Sequence, residues 1–224
     1  MNATKIRAAG GGSISATGQK TSVALKNVRP RSTAKAPHEV RIIGGVWKRS
    51  KLPVADLPGL RPTPDRVRET LFNWLGQDLS GWRCLDAFAG TGALGLEAAS
   101  RGALAVTLVD SDTALVAQLR MTQTRLAAAQ VTVERGDGVM AIKRSAPASW
   151  DLILLDPPFD SDLHTSALGA AAKAVALQGF VYLEAPRIWA APELAELGLQ
   201  LHRHLKAGAV HAHVLMRLDA VAPV

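Results

Sequence analysis

The chain has 224 residues, of which 48% are hydrophobic and 20% charged, a composition typical of one globular α/β domain with an appendage. Its apolar runs fall short of the roughly 18 residues that cross a bilayer, and residues 1–12 lack the apolar core of a secretory signal. Cys84 is the single cysteine, which excludes an internal disulfide framework and favours a cytoplasmic location, and its apolar neighbour Leu85 indicates a packed strand position.

The positive charge is concentrated at the N-terminal end. Residues 1–51 hold eleven Lys and Arg against one acid, a net charge of +10, whereas the remaining 173 residues carry −3. Residues 1–38 contain no acid and few large apolar groups, so we expect a disordered extension. A basic arm suits a polyanionic partner, because each phosphate contact releases counterions. A solvated tail without a partner and an organellar transit peptide are open alternatives.

Residues 39–64 predict a basic hairpin followed by a loop. The pattern favours a strand at 40–43, a turn at Gly44-Gly45 and a second strand that begins at Val46-Trp47. Residues 52–64 contain four prolines and are typical of an ordered loop.

A helix is predicted at residues 65–75. Its apolar residues share one face, and Gly76 is a plausible end. These apolar residues are Val67, Leu71, Phe72 and Leu75.

Strand-like and helix-like stretches alternate from residue 83 onwards. The predicted strands are 83–88, 105–109, 131–134, 152–155 and 180–184, and the predicted helices are 93–100, 113–128, 139–144 and roughly 166–176. This alternation predicts an α/β, doubly wound, mostly parallel sheet. Residues 199–205 and 210–218, on either side of a turn at Ala207-Gly208, predict an antiparallel hairpin at its end.

Ligands of open α/β sheets bind beyond the carboxyl ends of the strands, where this chain has four polar or glycine-rich signals. The first is a glycine loop with Gly90, Gly92 and Gly95, whose G-x-G-x-x-G spacing also fits an NAD-dependent oxidoreductase. The second is Asp110, which could hold both ribose hydroxyls, and the third is Asp137, which could accept from an adenine amine.

Either aspartate could instead be a helix N-cap. Asp112 is the better candidate for the cap of the helix that follows Asp110, which leaves Asp110 for a ligand.

The fourth signal is Asp156-Pro157-Pro158-Phe159. The two prolines fix two φ angles and remove two backbone donors, which makes the loop rigid. An acid and an aromatic ring held at its ends are typical of a site that grips a flat, polar ring. An oxidoreductase gives no reason for this tetrapeptide.

The motifs, taken in order, resemble the bacterial 16S rRNA guanine-N2 methyltransferase family (the RsmD family). They are GGVWK at 44–48, GLRPT at 59–63, DRVRETLFNWL at 65–75, FAGTG at 88–92 and DPPF at 156–159. The resemblance covers roughly residues 39–218. It implies a seven-stranded, Rossmann-like class I methyltransferase fold, S-adenosylmethionine as cofactor and small-subunit rRNA as partner. We further expect a monomer with neither a membrane partner nor a metal ion.

The resemblance also assigns residue roles. The expected domain, 39–224, comprises an RNA-facing hairpin and loop (39–64), a covering helix (65–76) and a catalytic core (83–218). The expected cofactor contacts are Asp86, Phe88, Gly90, Gly92, Asp110, Ser111, Asp137, Gly138, Arg61 and Thr63. The expected RNA contacts are Arg41, Lys48, Arg49 and Lys51.

The expected catalytic residues are Asp156, Pro157 and Phe159. Asp156 and the Pro157 carbonyl would accept the two N2 protons, while Phe159 would stack on the extruded base. An acid at position 156 favours guanine N2, since a carboxylate can also accept from guanine N1–H. Adenine-N6 methylation of DNA or RNA and a non-catalytic role in RNA binding or assembly are the alternatives.

Two further groups of side chains are interpreted as structural or solvated residues rather than as functional ones. His202, His204, His211 and His213 alternate along the terminal hairpin and could bind zinc, although solvated strand histidines are more common. The five tryptophans are scattered along the chain and indicate packing rather than base stacking.

Overall fold

The computed structural model describes residues 39–55, 63–159 and 161–220. The predicted extension at 1–38 and most of the proline-rich loop, including Arg61, lie outside these residues. Among the described helices, none has the length and apolarity needed to cross a membrane.

The N-terminal hairpin is present, but its second strand is displaced from the prediction. Strand β1 (Glu39–Arg41) pairs antiparallel with β2 (Lys51–Pro53), so the prediction of a strand at Val46-Trp47 is wrong. The Val46 N–H donates to the Ser100 carbonyl at 2.8 Å, and the Trp47 N–H donates to Ser100 Oγ at 2.9 Å. Because these donors are used by another part of the chain, residues 46 and 47 cannot form a strand ladder.

The predicted helix at 65–75 is confirmed as α1 (Asp65–Leu75). Val67, Leu71, Phe72 and Leu75 are buried, as their spacing predicts. Gly76 ends the helix with a φ of 92°, which a residue with a side chain rarely adopts.

Alternating strands and helices form the rest of the domain. They are β3 (Arg83–Asp86), α2 (Ala93–Ser100), β4 (Ala105–Asp110), α3 (Thr113–Arg125), β5 (Val131–Arg135), α4 (Gly138–Arg144), β6 (Trp150–Leu155), α5 (Leu163–Ala174), β7 (Val175–Ala185), α6 (Ala191–Glu196), β8 (Leu199–Ala207) and β9 (Val210–Arg217). A 3₁₀ turn, Leu218–Ala220, follows.

The strands form one seven-stranded sheet in the order β5-β4-β3-β6-β7-β9-β8. The neighbours from β5 to β7 are parallel, and β9 is antiparallel to both β7 and β8. The predicted doubly wound sheet with an antiparallel end is therefore confirmed. The strand order reverses between β3 and β6, which is where an open α/β sheet offers a crevice for ligands.

Two helix ends differ from the sequence prediction, one helix was not predicted, and several strand bounds shift by a few residues. Helix α3 ends at Arg125, because Ala127 has a φ of 49°, outside helical geometry. The helix expected to reach residue 176 ends at Ala174, because Val175 already pairs with Trp150 in the sheet. Helix α6 was not predicted.

Helices cover both faces of the sheet. One core joins α1, α2 and α3 to the sheet, and the other joins α4, α5 and α6 to its opposite face. Cys84 is fully buried, as expected, and burial raises the pKa of its thiol. The five tryptophans pack against these cores, which confirms their interpretation as packing residues.

A buried ionic network fastens the hairpin and α1 to α2. Glu97 is fully buried, and its carboxylate accepts from the Ile43 and Gly44 N–H groups, each at 2.7 Å. The same carboxylate pairs with Arg101 at 2.8 Å and with Arg68, also fully buried, at 3.4 Å. Removing one member would leave a buried charge unpaired, which costs roughly 3–5 kcal/mol.

Candidate active site

Acidic side chains gather at the carboxyl ends of four neighbouring strands of the sheet. Asp86, Asp110, Asp156 and Glu184 end or follow β3, β4, β6 and β7. Since β3 and β6 flank the strand-order reversal, the candidate site lies at the crevice that the topology creates.

The glycine loop connects β3 to α2 and turns sharply at Gly92. Gly92 has a φ of 77°, and a Cβ there would approach a Leu119 methyl carbon at 2.7 Å. The Gly90 N–H donates to Asp110 Oδ2 at 2.9 Å. The Asp112 N–H donates to Asp110 Oδ1 at 2.8 Å. Asp110 therefore ties the glycine loop to the start of the next loop and is partly exposed there.

Asp112 caps α3, as the sequence predicts. Its Oδ1 accepts from the Ala114 N–H at 2.7 Å and from the Leu115 N–H at 3.0 Å. The prediction that Asp112, rather than Asp110, caps this helix is therefore confirmed.

Asp86 lies under the glycine loop with 1% of its surface exposed. Its Oδ2 accepts from the Gly95 N–H at 2.9 Å, and within the described residues its buried Oδ1 has no hydrogen-bond partner. Burial raises the pKa of Asp86 to about 7, the Gly95 and Phe88 N–H groups oppose the rise, and the charges of Asp110 and Glu184 add to it. The Oδ1 atom is thus the acceptor of Asp86 that remains for a further donor, either an ordered water or a ligand amine.

Asp137 is the N-cap of α4, which is the structural alternative that the sequence analysis gives beside an adenine contact. Its Oδ1 accepts from the Met140 N–H at 2.8 Å, and its side chain is exposed. Gly138 packs so closely on the end of β3 that a Cβ would lie 2.0 Å from the Ala87 carbonyl oxygen. Ser111 is exposed, and the half-buried Phe88 packs on the core that contains α4.

The predicted tetrapeptide follows β6 directly. Asp156 is half-buried, Pro157 is buried and the Phe159 side chain is 37% exposed. Burial raises the pKa of Asp156 well above its usual range, and the charges of Glu184 and Asp86 raise it further. The loop thus presents a carboxyl group with affinity for a proton beside an accessible aromatic ring.

Glu184 at the end of β7 is absent from the sequence predictions. It is 3% exposed and accepts from Thr63 Oγ1 at 2.6 Å and from Tyr182 Oη at 2.8 Å. Burial raises the pKa of Glu184, and these two hydroxyls and the charge of Arg68 oppose the rise. The signal that identified Asp110, an acid that closes a predicted strand, applies equally to Glu184.

Thr63 is held at this edge from both sides. Its hydroxyl donates to Glu184, and its carbonyl accepts from Arg68 Nε at 3.2 Å. Thr63, which leads into α1, is therefore anchored to the end of β7.

The four basic residues expected to face RNA lie on the hairpin and are exposed. Arg41 pairs with Asp65 at 3.1 Å, and Lys51 pairs with Glu39 at 2.8 Å. Lys48 and Arg49 lie on the turn between the two strands.

Three of the four hairpin histidines cluster. His204 Nε2 lies 3.0 Å from His211 Nδ1, and the ring centroids of His204 and His213 are 5.0 Å apart. His213 is fully buried, which lowers its pKa to about 4. Within the part of the chain that the structure describes, no group of three or more His, Cys, Asp or Glu side chains has a metal-binding arrangement.

Comparison with known proteins gives consistent matches. The family model described as conserved hypothetical protein 95 matches residues 40–216. The ribosomal RNA small subunit methyltransferase D of Escherichia coli strain K12 is 47% identical over 121 residues, which are 54% of this chain and 61% of that protein. The alignment thus spans less than two thirds of this relative. The protein of the same name from Haemophilus influenzae is 42% identical over 139 residues, 61% of this chain and 72% of that protein.

Solved structures extend the match. A chain described as the proposed methyltransferase yhhF from Escherichia coli superposes with a TM-score of 0.67 at 38% identity and covers 80% of this chain and 98% of that one. A proposed methylase from Haemophilus influenzae gives 0.66 at 32% identity and covers 80% and 99%. With the strand order above, these matches confirm the predicted class I methyltransferase fold.

Proposed function

Because the chain belongs to the family described as conserved hypothetical protein 95, we propose that it is an S-adenosylmethionine-dependent methyltransferase of ribosomal RNA. The proposed acceptor is the exocyclic N2 of one guanine in the 16S rRNA of the small subunit. The names of its relatives from Escherichia coli and Haemophilus influenzae support the rRNA substrate.

The observation that carries the proposal is the position of Asp156-Pro157-Pro158-Phe159. The tetrapeptide follows β6, directly beside β3 and its glycine loop at the strand-order reversal. A carboxyl group and an exposed aromatic ring therefore adjoin a loop suited to a nucleotide-like cofactor. An NAD-dependent oxidoreductase would need the glycine loop but not an Asp-Pro-Pro-Phe loop beside it.

The residues beside the glycine loop fit the cofactor. The unsatisfied, buried Oδ1 of Asp86 suits the methionine amine, and the partly exposed Asp110 suits the ribose hydroxyls. Asp137 is an exposed acceptor for the adenine amine, with the exposed Ser111 beside Asp110. When bound, S-adenosylmethionine would supply an electrophilic methyl group.

Asp156 would hold and activate the guanine amine. The N2 lone pair is delocalised into the ring, so orientation and removal of a proton supply much of the rate. Asp156 and the Pro157 carbonyl accept the two N2 protons, which localises the lone pair and stabilises the developing positive charge. When the methyl group passes from the cofactor sulfur to N2, N2 would lose one proton to Asp156, whose raised pKa suits it to retain that proton. Phe159 stacks on the base.

Recognition of the rRNA would fall to the hairpin. Arg41, Lys48, Arg49 and Lys51 are exposed there, and the network around Glu97 holds this hairpin rigidly on α2. Basic side chains on a rigid element suit contacts to phosphates, which position an RNA without reading its sequence.

Transfer of tritium from labelled cofactor tests the substrate class. Small subunits from a strain that lacks this methylation, naked 16S rRNA and duplex DNA would be offered to the protein, with Asp156→Ala as the inactive control. We expect label in the subunits and none in DNA. Label in DNA alone, or none in any RNA, would contradict the proposal.

A further inference from the structure

Glu184 is a second carboxyl group of the proposed base site that sequence reasoning does not assign. Among the residues that the structure describes, two hydroxyl groups bind it, Thr63 Oγ1 at 2.6 Å and Tyr182 Oη at 2.8 Å, and both donate to the same oxygen, Oε1. Neither contact involves Oε2, the second oxygen of the Glu184 carboxylate. Glu184 is therefore oriented by one oxygen, and the other can meet a further donor.

The sheet places Glu184 beside Asp156. Leu155 of β6 is in register with Leu183 of β7, so the next residues, Asp156 and Glu184, lie side by side at the ends of adjacent parallel strands. Neighbouring strands are about 4.8 Å apart, and residues in register share a face. The register therefore places the two residues on the same face at adjacent strand ends, and the charge of Glu184 raises the pKa of Asp156, as expected for neighbouring carboxyl groups.

The two hydroxyl contacts of Glu184 do not by themselves require a negative charge. A glutamine at this position could accept from the same two hydroxyls through its amide oxygen, without a buried charge. The charge of the nearby Arg68 stabilises the Glu184 carboxylate in part, but Arg68 is shared with two ionic partners of its own, Asp65 at 2.7 Å and Glu97 at 3.4 Å. Since like charges packed together are costly, a carboxylate here suits a ligand that presents donors to both acids.

Guanine presents such donors. Its Watson–Crick edge carries N1–H next to the N2 amine, whereas the N1 of adenine is an acceptor that a carboxylate would repel. We propose that Glu184 accepts the N1–H of the extruded guanine while Asp156 holds N2, so that the pair of strand ends selects guanine over adenine. This inference rests on the proposed function.

The substrate that tests it is 2-aminopurine placed at the methylated position of the rRNA by ligation. This base has the same N2 amine, but its N1 is an unprotonated acceptor. We expect the wild-type protein to methylate guanine about 10 to 100 times faster than 2-aminopurine in single-turnover reactions, the usual range for one well-placed base contact. Equal rates for the two bases would overturn the inference without any variant.

The Glu184→Gln variant tests the residue itself. Its amide oxygen can keep the two hydroxyl contacts, and its amide nitrogen can donate to the bare N1 of 2-aminopurine. We therefore expect the guanine rate to fall about 10 to 100-fold and the preference for guanine to disappear. Tyr182→Phe is the matched control, because it removes one of the hydrogen bonds to Glu184 but leaves the charge, and it should retain the preference.

The outcomes separate this inference from the proposed function. If the wild-type protein makes N2-methylguanine and Glu184→Gln keeps the wild-type preference, the role of Glu184 is wrong and the proposed function stands. If the wild-type protein makes no N2-methylguanine, both are wrong. The midpoint of thermal unfolding of Glu184→Gln shows whether the variant is folded when its rates are compared.

Discussion

The two halves of the carboxyl edge of the sheet use their acids differently. On the β3–β4–β5 half, Asp110, Asp112 and Asp137 each accept hydrogen bonds from backbone N–H groups of the following loop or helix. On the β6–β7 half, Asp156 and Glu184 lie beside each other, and burial and mutual repulsion raise the pKa of Asp156.

This difference has a chemical consequence. Acids that accept hydrogen bonds from the backbone hold loops in place. Their remaining acceptor sites suit the hydroxyls and amines of a cofactor. Acids that crowd one another gain affinity for protons, which suits a group that must take a proton from a reacting amine. The comparison therefore assigns cofactor binding to one half and base activation to the other.

The largest expected effect is on the β6–β7 half. Asp156→Ala should slow methyl transfer about 1000-fold, because it removes both the acceptor that orients N2 and the group that takes its proton. The dissociation constant for S-adenosylmethionine should change less than about threefold, as measured by calorimetry. If Asp156→Ala still bound the cofactor and transferred methyl groups at nearly the wild-type rate, the assignment of base activation to the β6–β7 half would be wrong.

Asp86, which ends β3 next to β6, is the acid of the cofactor half whose pKa burial raises, and it predicts a dependence of stability on pH. Its folded-state pKa of about 7 lies above the ordinary value of 3.8, so the folded protein binds more protons between these values and loses stability as the pH rises through them. Asp86→Asn removes this loss and should raise the free energy of unfolding at about pH 8 by roughly 2–4 kcal/mol.

The check is urea unfolding of both proteins without cofactor. The difference between them should nearly vanish at about pH 4, where Asp86 is largely protonated in the folded state. A gain that is the same at both pH values would mean that Asp86 is not the titrating group.

Asp110 and Asp112 offer a matched pair within the cofactor half. Asp110→Ala should weaken cofactor binding about 10 to 100-fold, as expected for the loss of a charged hydrogen-bonding group. Asp112→Ala should cost about 1 kcal/mol of stability, as loss of an N-cap does, and leave cofactor affinity nearly unchanged. Equal affinities of the two variants would remove Asp110 from the cofactor site.

The smallest effect is expected on the hairpin, outside both halves. Replacement of Lys48 and Arg49 by alanine should weaken RNA binding modestly and reduce the slope of log affinity against log salt by about 1 to 2. Cofactor affinity serves as the internal control and should not change. An unaltered salt slope would show that these two side chains do not contact phosphates.

Local patterns in the sequence predict most of the fold. The apolar spacing of α1 and the alternation of strands and helices arise from residues close in sequence, and they identify the site as the carboxyl edge of the sheet. The second hairpin strand was misplaced because the donors of Val46 and Trp47 bind Ser100, more than fifty residues away. Periodicity within a segment carries no information about such a partner.

The candidate site shows the same limit. The sequence identifies Asp110, Asp156 and the glycine loop because acids or glycines stand directly at the ends of predicted strands. The importance of Glu184 depends on its register with Asp156 and on Thr63, 121 residues away, and only the folded sheet brings these residues together. Patterns within a segment therefore reveal groups that act alone better than groups that act as pairs.

The identity of the methylated nucleoside tests the central claim most directly. Small subunits labelled with tritiated cofactor would be digested to nucleosides and separated by chromatography beside authentic standards. We predict that the label appears in N2-methylguanosine. Label in N6-methyladenosine would contradict the assignment of Asp156 and Glu184 to a guanine edge.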